Sequence, residues 1–173
     1  MEKQGLISAC MFWPGSEAPI QGIRPTYYTP FNDSMPNSER VDNVLAWLEL
    51  PTDQRPNFIT LYMSITDTYG HAYGPDSPMM NVAFKNVDDA VYQLVQGLTD
   101  LGLYDSVNLI VTADHGMTAI DPSRIIFIEE IIDLSTVDII DWSPIAALVP
   151  HAGCKSSSLR CFLSCSNPRP PSS

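Results

Sequence analysis

The sequence predicts an α/β fold, a parallel sheet covered by helices. Two observations carry this: strand-like and helix-like segments alternate along the chain, and two Asp/His pairs fall where loops would follow strand ends. The first element is the apolar run Leu6–Trp13, a buried strand ended by Pro14-Gly15-Ser16. Residues 14–36 hold many Pro, Gly and Asn together with Tyr27, Tyr28 and Phe31, and are expected to form an irregular surface loop. Pro36-Asn37-Ser38 supplies helix-start residues, and Val41, Val44, Leu45 and Leu48 then define one apolar helical face that Pro51 ends. Phe58–Met63 is a β-prone run, and the polar, Gly-containing stretch Thr66–Ser77 is expected as a loop.

Ser77-Pro78 suits a helix start, and Val87, Ala90, Val91, Leu94, Leu98 and Leu101 trace an amphipathic helix up to Gly102. Val107–Ala113 is a further buried-type strand that delivers Asp114-His115-Gly116 at its carboxyl end. Beyond Met117, Ile125–Ile132 and Ile145–Val149 are candidate strands with Asp133–Asp141 between them. The predicted folded region is residues 1–150, and residues 151–173, rich in Ser, Pro and Cys, are expected to be a disordered tail.

At 173 residues and 45% apolar content, the chain can form one domain with its own core. Its net charge of −11, with only nine Lys and Arg, argues against an architectural role on nucleic acid, where phosphate contacts require clustered cations. An acidic protein that handles phosphate needs counter-charge, for which divalent cations are the natural source. The opening residues show no secretory signal pattern, and there is no apolar run of about 18 residues. Cys10 falls in the first apolar run, whereas the spacing of Cys154, Cys161 and Cys165 fits no zinc knuckle. Asn32-Asp33-Ser34 is an N-glycosylation sequon, of consequence if a longer form enters the secretory pathway.

Asp67-Thr68-Tyr69-Gly70-His71 and Asp114-His115-Gly116 each bring a carboxylate beside an imidazole, a donor set that suits zinc. Either pair alone also reads as a cap or a solvated ion pair; on consecutive strands of one sheet they would converge at the same edge.

Four stretches carry a resemblance: Phe12-Trp13-Pro14-Gly15-Ser16-Glu17, Arg55 to Tyr62, Asp67 to His71 with Tyr73-Gly74-Pro75-Asp76-Ser77, and Asp114-His115-Gly116-Met117. In this order and spacing they resemble the catalytic domain of ectonucleotide pyrophosphatase/phosphodiesterases, over about Lys3 to Val149. The resemblance implies an alkaline phosphatase-like fold, a mixed, mostly parallel sheet with helices on both faces, here expected to be incomplete at both ends. It implies two zinc ions, one held by Asp67 and His71 and the other by Asp114 and His115. It also implies that Trp13, Phe31 and Tyr62, with Tyr28 an alternative to Phe31, shape the pocket for a nucleotide or other phosphodiester substrate. Core packing is the other reading of Trp13 and Tyr62.

The family's attacking threonine, a further aspartate and a third histidine have no counterpart in the sequence: Thr60, Thr66, Thr68, Thr112 and Thr118 lack the nucleophile's context, and His151 lacks the histidine's. No catalytic nucleophile is assigned. The implied activity is two-metal hydrolysis of phosphodiester or pyrophosphate bonds, with a silent fragment, or a phosphomonoesterase or sulfatase of the wider superfamily, as alternatives. Relatives of this type are secretory, extracellular or membrane-anchored.

Overall fold

The computed structural model describes residues 1–142 and 145–152. They fall into two compact units, one of residues 1–119 and one beginning at Ile120. The expected tail, with Cys154, Cys161 and Cys165, lies outside the described residues apart from His151 and Ala152.

The first unit is built on a parallel sheet of order β2-β1-β3, with β1 Ser8–Met11, β2 Tyr27–Thr29 and β3 Phe58–Leu61. Ala9 aligns with Tyr27 on one side and Ile59 on the other. All four residues of β1 are buried, as a central parallel strand covered on both faces requires. β2 corrects the expectation of an irregular loop from 14 to 36. It is three residues long between Pro25 and Pro30, too short for an alternation to be visible, and exists through its pairing with β1.

Helix α1 Asn37–Glu49 buries Val41, Val44 and Leu48 against Ala90, Leu94 and Leu98 of helix α3 Met80–Asp100, with Met11 and Phe12 in the same core. Gly97 lets the two helices approach: a Cβ there would stand 2.4 Å from Leu45 Cδ1. Ser77 Oγ accepts a hydrogen bond from Met79 N just ahead of α3, three residues before the helix proper.

Thr66–Ser77, expected as a loop, is mostly helix α2, Ile65–Tyr73. Its apolar stripe is missing because its only buried residue is Gly70, which faces the Met117 side chain. Val107–Ala113 is not a strand among the described residues; Leu109, Ile110 and Val111 are exposed, and β3 pairs only with β1. A buried-type strand needs a ladder partner and two covered faces, and this segment has neither here.

In the second unit, β4 Val137–Asp141 pairs antiparallel with β5 Ala147–Pro150, the latter close to the expected Ile145–Val149. Ile125–Ile132 is irregular, with a 3-10 segment at Ile128–Glu130 in place of the expected strand. Asp133 Oδ1 accepts from Ser135 N at 2.9 Å and turns the chain into β4.

Candidate active site

The carboxyl ends of β1 and β3 present two adjoining sets of side chains. The first begins where β1 ends, at Phe12, whose φ of 61° is a conformation side chains larger than glycine seldom adopt. Such strain, worth roughly 1–3 kcal/mol, persists only where the surroundings over-determine it. Here the ring is buried, stands edge-on to Phe31 at 5.4 Å, and lies 4.9 Å from the Arg40 guanidinium carbon.

Arg40 is 2% exposed. Its Nε donates to Met35 O at 3.0 Å and Nη1 to Tyr62 O at 3.1 Å, so one cation ties the end of β3 and the loop after β2 to α1. Burial pulls its pKa down while Asp33 and Tyr62 oppose this; a guanidinium stays charged in proteins, and the carbonyls and the Phe12 ring compensate it. Glu17 Oε1 accepts the Phe31 amide at 2.5 Å, and Glu17 O accepts Arg24 Nε at 2.9 Å.

The outcome is a cavity of about 460 Å³ lined by Phe12, Trp13, Pro14, Gly15, Glu17, Ala18, Phe31 and Tyr62. Trp13, Phe31 and Tyr62, singled out from the sequence, line it together. Tyr28 does not: it sits on β2, with Arg24 5.8 Å from its ring centroid.

The second set gathers on α2 and the segment after Ala113. Helical spacing places His71 one turn after Asp67, with His71 Nε2 3.4 Å from Asp67 Oδ1. His115 Nε2 approaches the same oxygen to 3.7 Å and Asp114 Oδ2 to 3.8 Å. The four candidate ligands therefore form one chain of contacts, His71 to Asp67, Asp67 to His115 and His115 to Asp114. Gly70 permits the approach, since a Cβ there would stand 2.2 Å from Met117 Sδ.

His115 Nδ1 lies 2.9 Å from Gly116 O. A carbonyl can only accept, so Nδ1 carries the proton and Nε2 of the neutral ring offers its lone pair. The Gly116 bond first, then the Asp114 charge and the weaker Asp67 charge, raise the His115 pKa. The two sets communicate electrostatically: burial first, then the charges of Asp114 and Asp67, raise the pKa of Tyr62, which lines the cavity.

Asp67 Oδ1 is buried and has no hydrogen-bond partner, although two imidazole nitrogens flank it. A buried carboxylate oxygen without a partner is costly, and a cation would relieve it. Ligands about 2.1 Å from a tetrahedral zinc stand roughly 3.4 Å apart, the spacing of the Asp67–His71 pair. The donor types and this spacing fit a metal. Among the described residues, however, no three His, Cys, Asp or Glu side chains close on a single point.

Arg40, Glu17 and Gly70 were not singled out as functional from the sequence. Arg40 left one trace: it stands four residues before Val44 on the apolar face of α1, where a charge is out of place unless buried with partners.

The family described as Type I phosphodiesterase / nucleotide pyrophosphatase matches residues 1–158. The chain is 42% identical over 148 residues to human ectonucleotide pyrophosphatase/phosphodiesterase family member 1, an alignment covering 85% of this chain and 16% of that protein. It is 44% identical over 130 residues to a venom phosphodiesterase of Macrovipera lebetinus, covering 75% and 15%. With human bis(5'-adenosyl)-triphosphatase ENPP4 it shares 40% identity over 144 residues, 83% of this chain and 32% of the relative.

Among solved structures, murine ectonucleotide pyrophosphatase/phosphodiesterase 5, an inactive variant in complex with AMP, superimposes with a TM-score of 0.83 at 34% identity. That match covers 96% of this chain and 44% of the other. The human form gives 0.82 at 32% identity. The chain thus spans less than half the length of these relatives. The alkaline phosphatase-like α/β fold follows from this likeness and from the parallel sheet with its helices. From its motifs, fold and sequence similarity, the chain belongs to the type I phosphodiesterase/nucleotide pyrophosphatase family.

Proposed function

We propose that this chain contributes part of a two-metal site for hydrolysis of phosphodiester or pyrophosphate bonds in nucleotides or related small molecules. The observation that carries the reading is the orphaned Asp67 Oδ1 between two imidazoles, beside a cavity walled by aromatic rings. Asp67 and His71 would hold one zinc, and Asp114 and His115 the other. Bound there, zinc ions would supply Lewis-acid polarisation and neutralise phosphoryl charge, in two-metal sites from positions about 4 Å apart. The protein's own groups do the rest. Trp13, Phe31 and Tyr62 receive the planar, apolar part of the substrate, each stacking contact worth roughly 1–3 kcal/mol. The Gly116 carbonyl keeps the proton on His115 Nδ1 and aims Nε2 at the ligand cluster.

No nucleophile is assigned among this chain's own residues, and on a second reading the chain binds substrate without turning it over. This second reading, a silent fragment, is favoured by the absence of a closed three-ligand group among the described residues. Relatives named as ectonucleotide and venom enzymes support an extracellular or membrane-anchored location; among the described residues no helix is long and apolar enough to cross a membrane.

The test is a p-nitrophenyl phosphodiester assay of the purified chain with zinc, paired with calorimetric titration of AMP. Expected are AMP binding that Phe31→Ala weakens and little hydrolysis. Robust turnover abolished by Asp114→Ala would overturn the silent reading. No AMP binding, with or without zinc, would overturn the nucleotide reading.

A further inference from the structure

From Asn108 to Ala119, Met117 is the one residue that is not exposed. Its thioether lies on Gly70, the one buried residue of α2. A Cβ on Gly70 would stand 2.2 Å from Met117 Sδ and 2.9 Å from its Cε, so the sulfur fills the place where any other residue would begin its side chain. An unbranched, polarisable thioether suits such a notch. The hydrogen bonds of Thr112 and His115 stay within their own segment, and His115 meets α2 through an exposed ion contact of 3.7 Å to Asp67. An ion contact of that kind contributes little to holding a chain in place. α2 is itself supported, because it packs against α3. Gly70 neighbours His71 and stands three residues after Asp67, on the same side of the helix. Met117 therefore touches α2 where one ligand pair is rooted, and it follows His115 of the other pair by two residues.

We propose that Met117 is a positioning residue: seated on Gly70, it docks the Asp114-His115 segment on α2 and sets the spacing of the two ligand pairs. The inference rests on the two-metal reading above. Ligands have to be held to about 0.5 Å of their working geometry, and for an otherwise exposed segment the buried Gly70–Met117 contact supplies that constraint. Met117 acts through His115 and not on the substrate. Gly70 is the other half of the device. Its φ is not positive, so alanine suits its backbone and would even favour the helix. Glycine here serves the contact and not a turn. A methyl group in its place would lift Met117 off α2 and carry His115 away from Asp67.

The test is the zinc affinity of the full chain, measured by competition with a chelator, together with NMR of the metal-free protein labelled at its methionine methyls. In the wild type a nuclear Overhauser contact is expected between the Met117 methyl and the Gly70 α protons. Gly70→Ala and Met117→Ala are each expected to lower zinc affinity about 10- to 100-fold, the range for residues that orient metal ligands. In the double variant the new methyl takes the room the sulfur leaves, so affinity recovers above that of Gly70→Ala alone. Gly70→Ala strengthens α2 and Met117→Ala introduces no clash, so a loss in either reports the contact and not a failure to fold. Zinc binding that neither substitution changes, or losses that simply add in the double variant, overturns the positioning role and leaves the two-metal reading standing. A wild type that shows the methyl contact and binds no zinc overturns the two-metal reading, and the positioning role with it. Absence of the methyl contact overturns the proposal whatever the zinc affinity.

Discussion

The aromatic cavity and the Asp/His cluster lie side by side but are held in opposite ways. Phe12 and Arg40 beneath the cavity are 3% and 2% exposed and locked by ring contacts and main-chain carbonyls. The side chains of His71, His115 and Asp114 are 74%, 57% and 55% exposed, and only Asp67 of the cluster carries a buried oxygen. The difference teaches that the cavity is prebuilt by burial, whereas the cluster sets Asp67 and Asp114 against one imidazole, an arrangement that the proposed cations would neutralise. Packing defines the one; charge defines the other.

The most disruptive way to break this contrast is Arg40→Met. It leaves the Met35 and Tyr62 carbonyls without their donor and removes the cation from the Phe12 ring. At about 1–3 kcal/mol for each buried group left unpaired, a loss of about 3 kcal/mol or more is expected in denaturant unfolding, with a cavity that no longer binds AMP. Asp67→Asn is expected to do the reverse. Unfolding free energy should stay within about 1 kcal/mol, as for a change that also relieves like-charge crowding. Zinc affinity measured by competition with a chelator should fall by more than the roughly 10–100-fold typical of losing a residue that merely supports a ligand. If Arg40→Met were mild, or Asp67→Asn strongly destabilising, the contrast would be wrong.

Smaller effects sharpen it. Phe31→Ala should weaken AMP binding by roughly 5- to 150-fold, the equivalent of one lost stacking contact, with zinc affinity unchanged. The weakest effect is expected far from both sets. Glu2 Oε1 accepts from Ser8 N and Oγ and from Thr26 N and Oγ1, joining the start of β1 to the segment before β2. The Ser8 hydroxyl first, with further bonds from Ser8 and Thr26 and against the cost of burial, brings the Glu2 pKa down from 4.5 to about 2. A folded value below the unfolded one means stability that is fully present above pH 4.5 and is lost as pH falls towards 2. Glu2→Gln should flatten that part of the pH–stability curve, a change below about 1 kcal/mol once solvent screening is counted, and leave both sites untouched.

How far the sequence foretold this depended on whether burial leaves a periodic trace. α1 and α3 bury apolar stripes and were legible; β1 and β3 are apolar runs and were legible too. α2 was not, because its contact is a glycine against Met117 and its exposed face reads as loop. Consequently Asp67 and His71 were seen as neighbours in a loop, whereas helical spacing is what brings them to 3.4 Å. Val107–Ala113 has the composition of an inner strand and is exposed here, since composition states only that a neighbour would be favourable and not that it is there. The cavity's three aromatics were identified through motif resemblance, but the Arg40 brace, made of backbone carbonyls, has no signature in the residues it grips.

The central claim is that His71 and His115 are metal ligands. Imidazole nitrogen chemical shifts followed by NMR during a zinc titration test it most directly, because His151, paired with Asp138 at 2.9 Å, is the sequence's third histidine and an internal control. The account predicts that Nε2 of His71 and of His115 shifts on zinc addition and that Asp67→Asn suppresses the change, with His151 unmoved. Equal shifts at all three histidines, or none at His71 and His115, would contradict it.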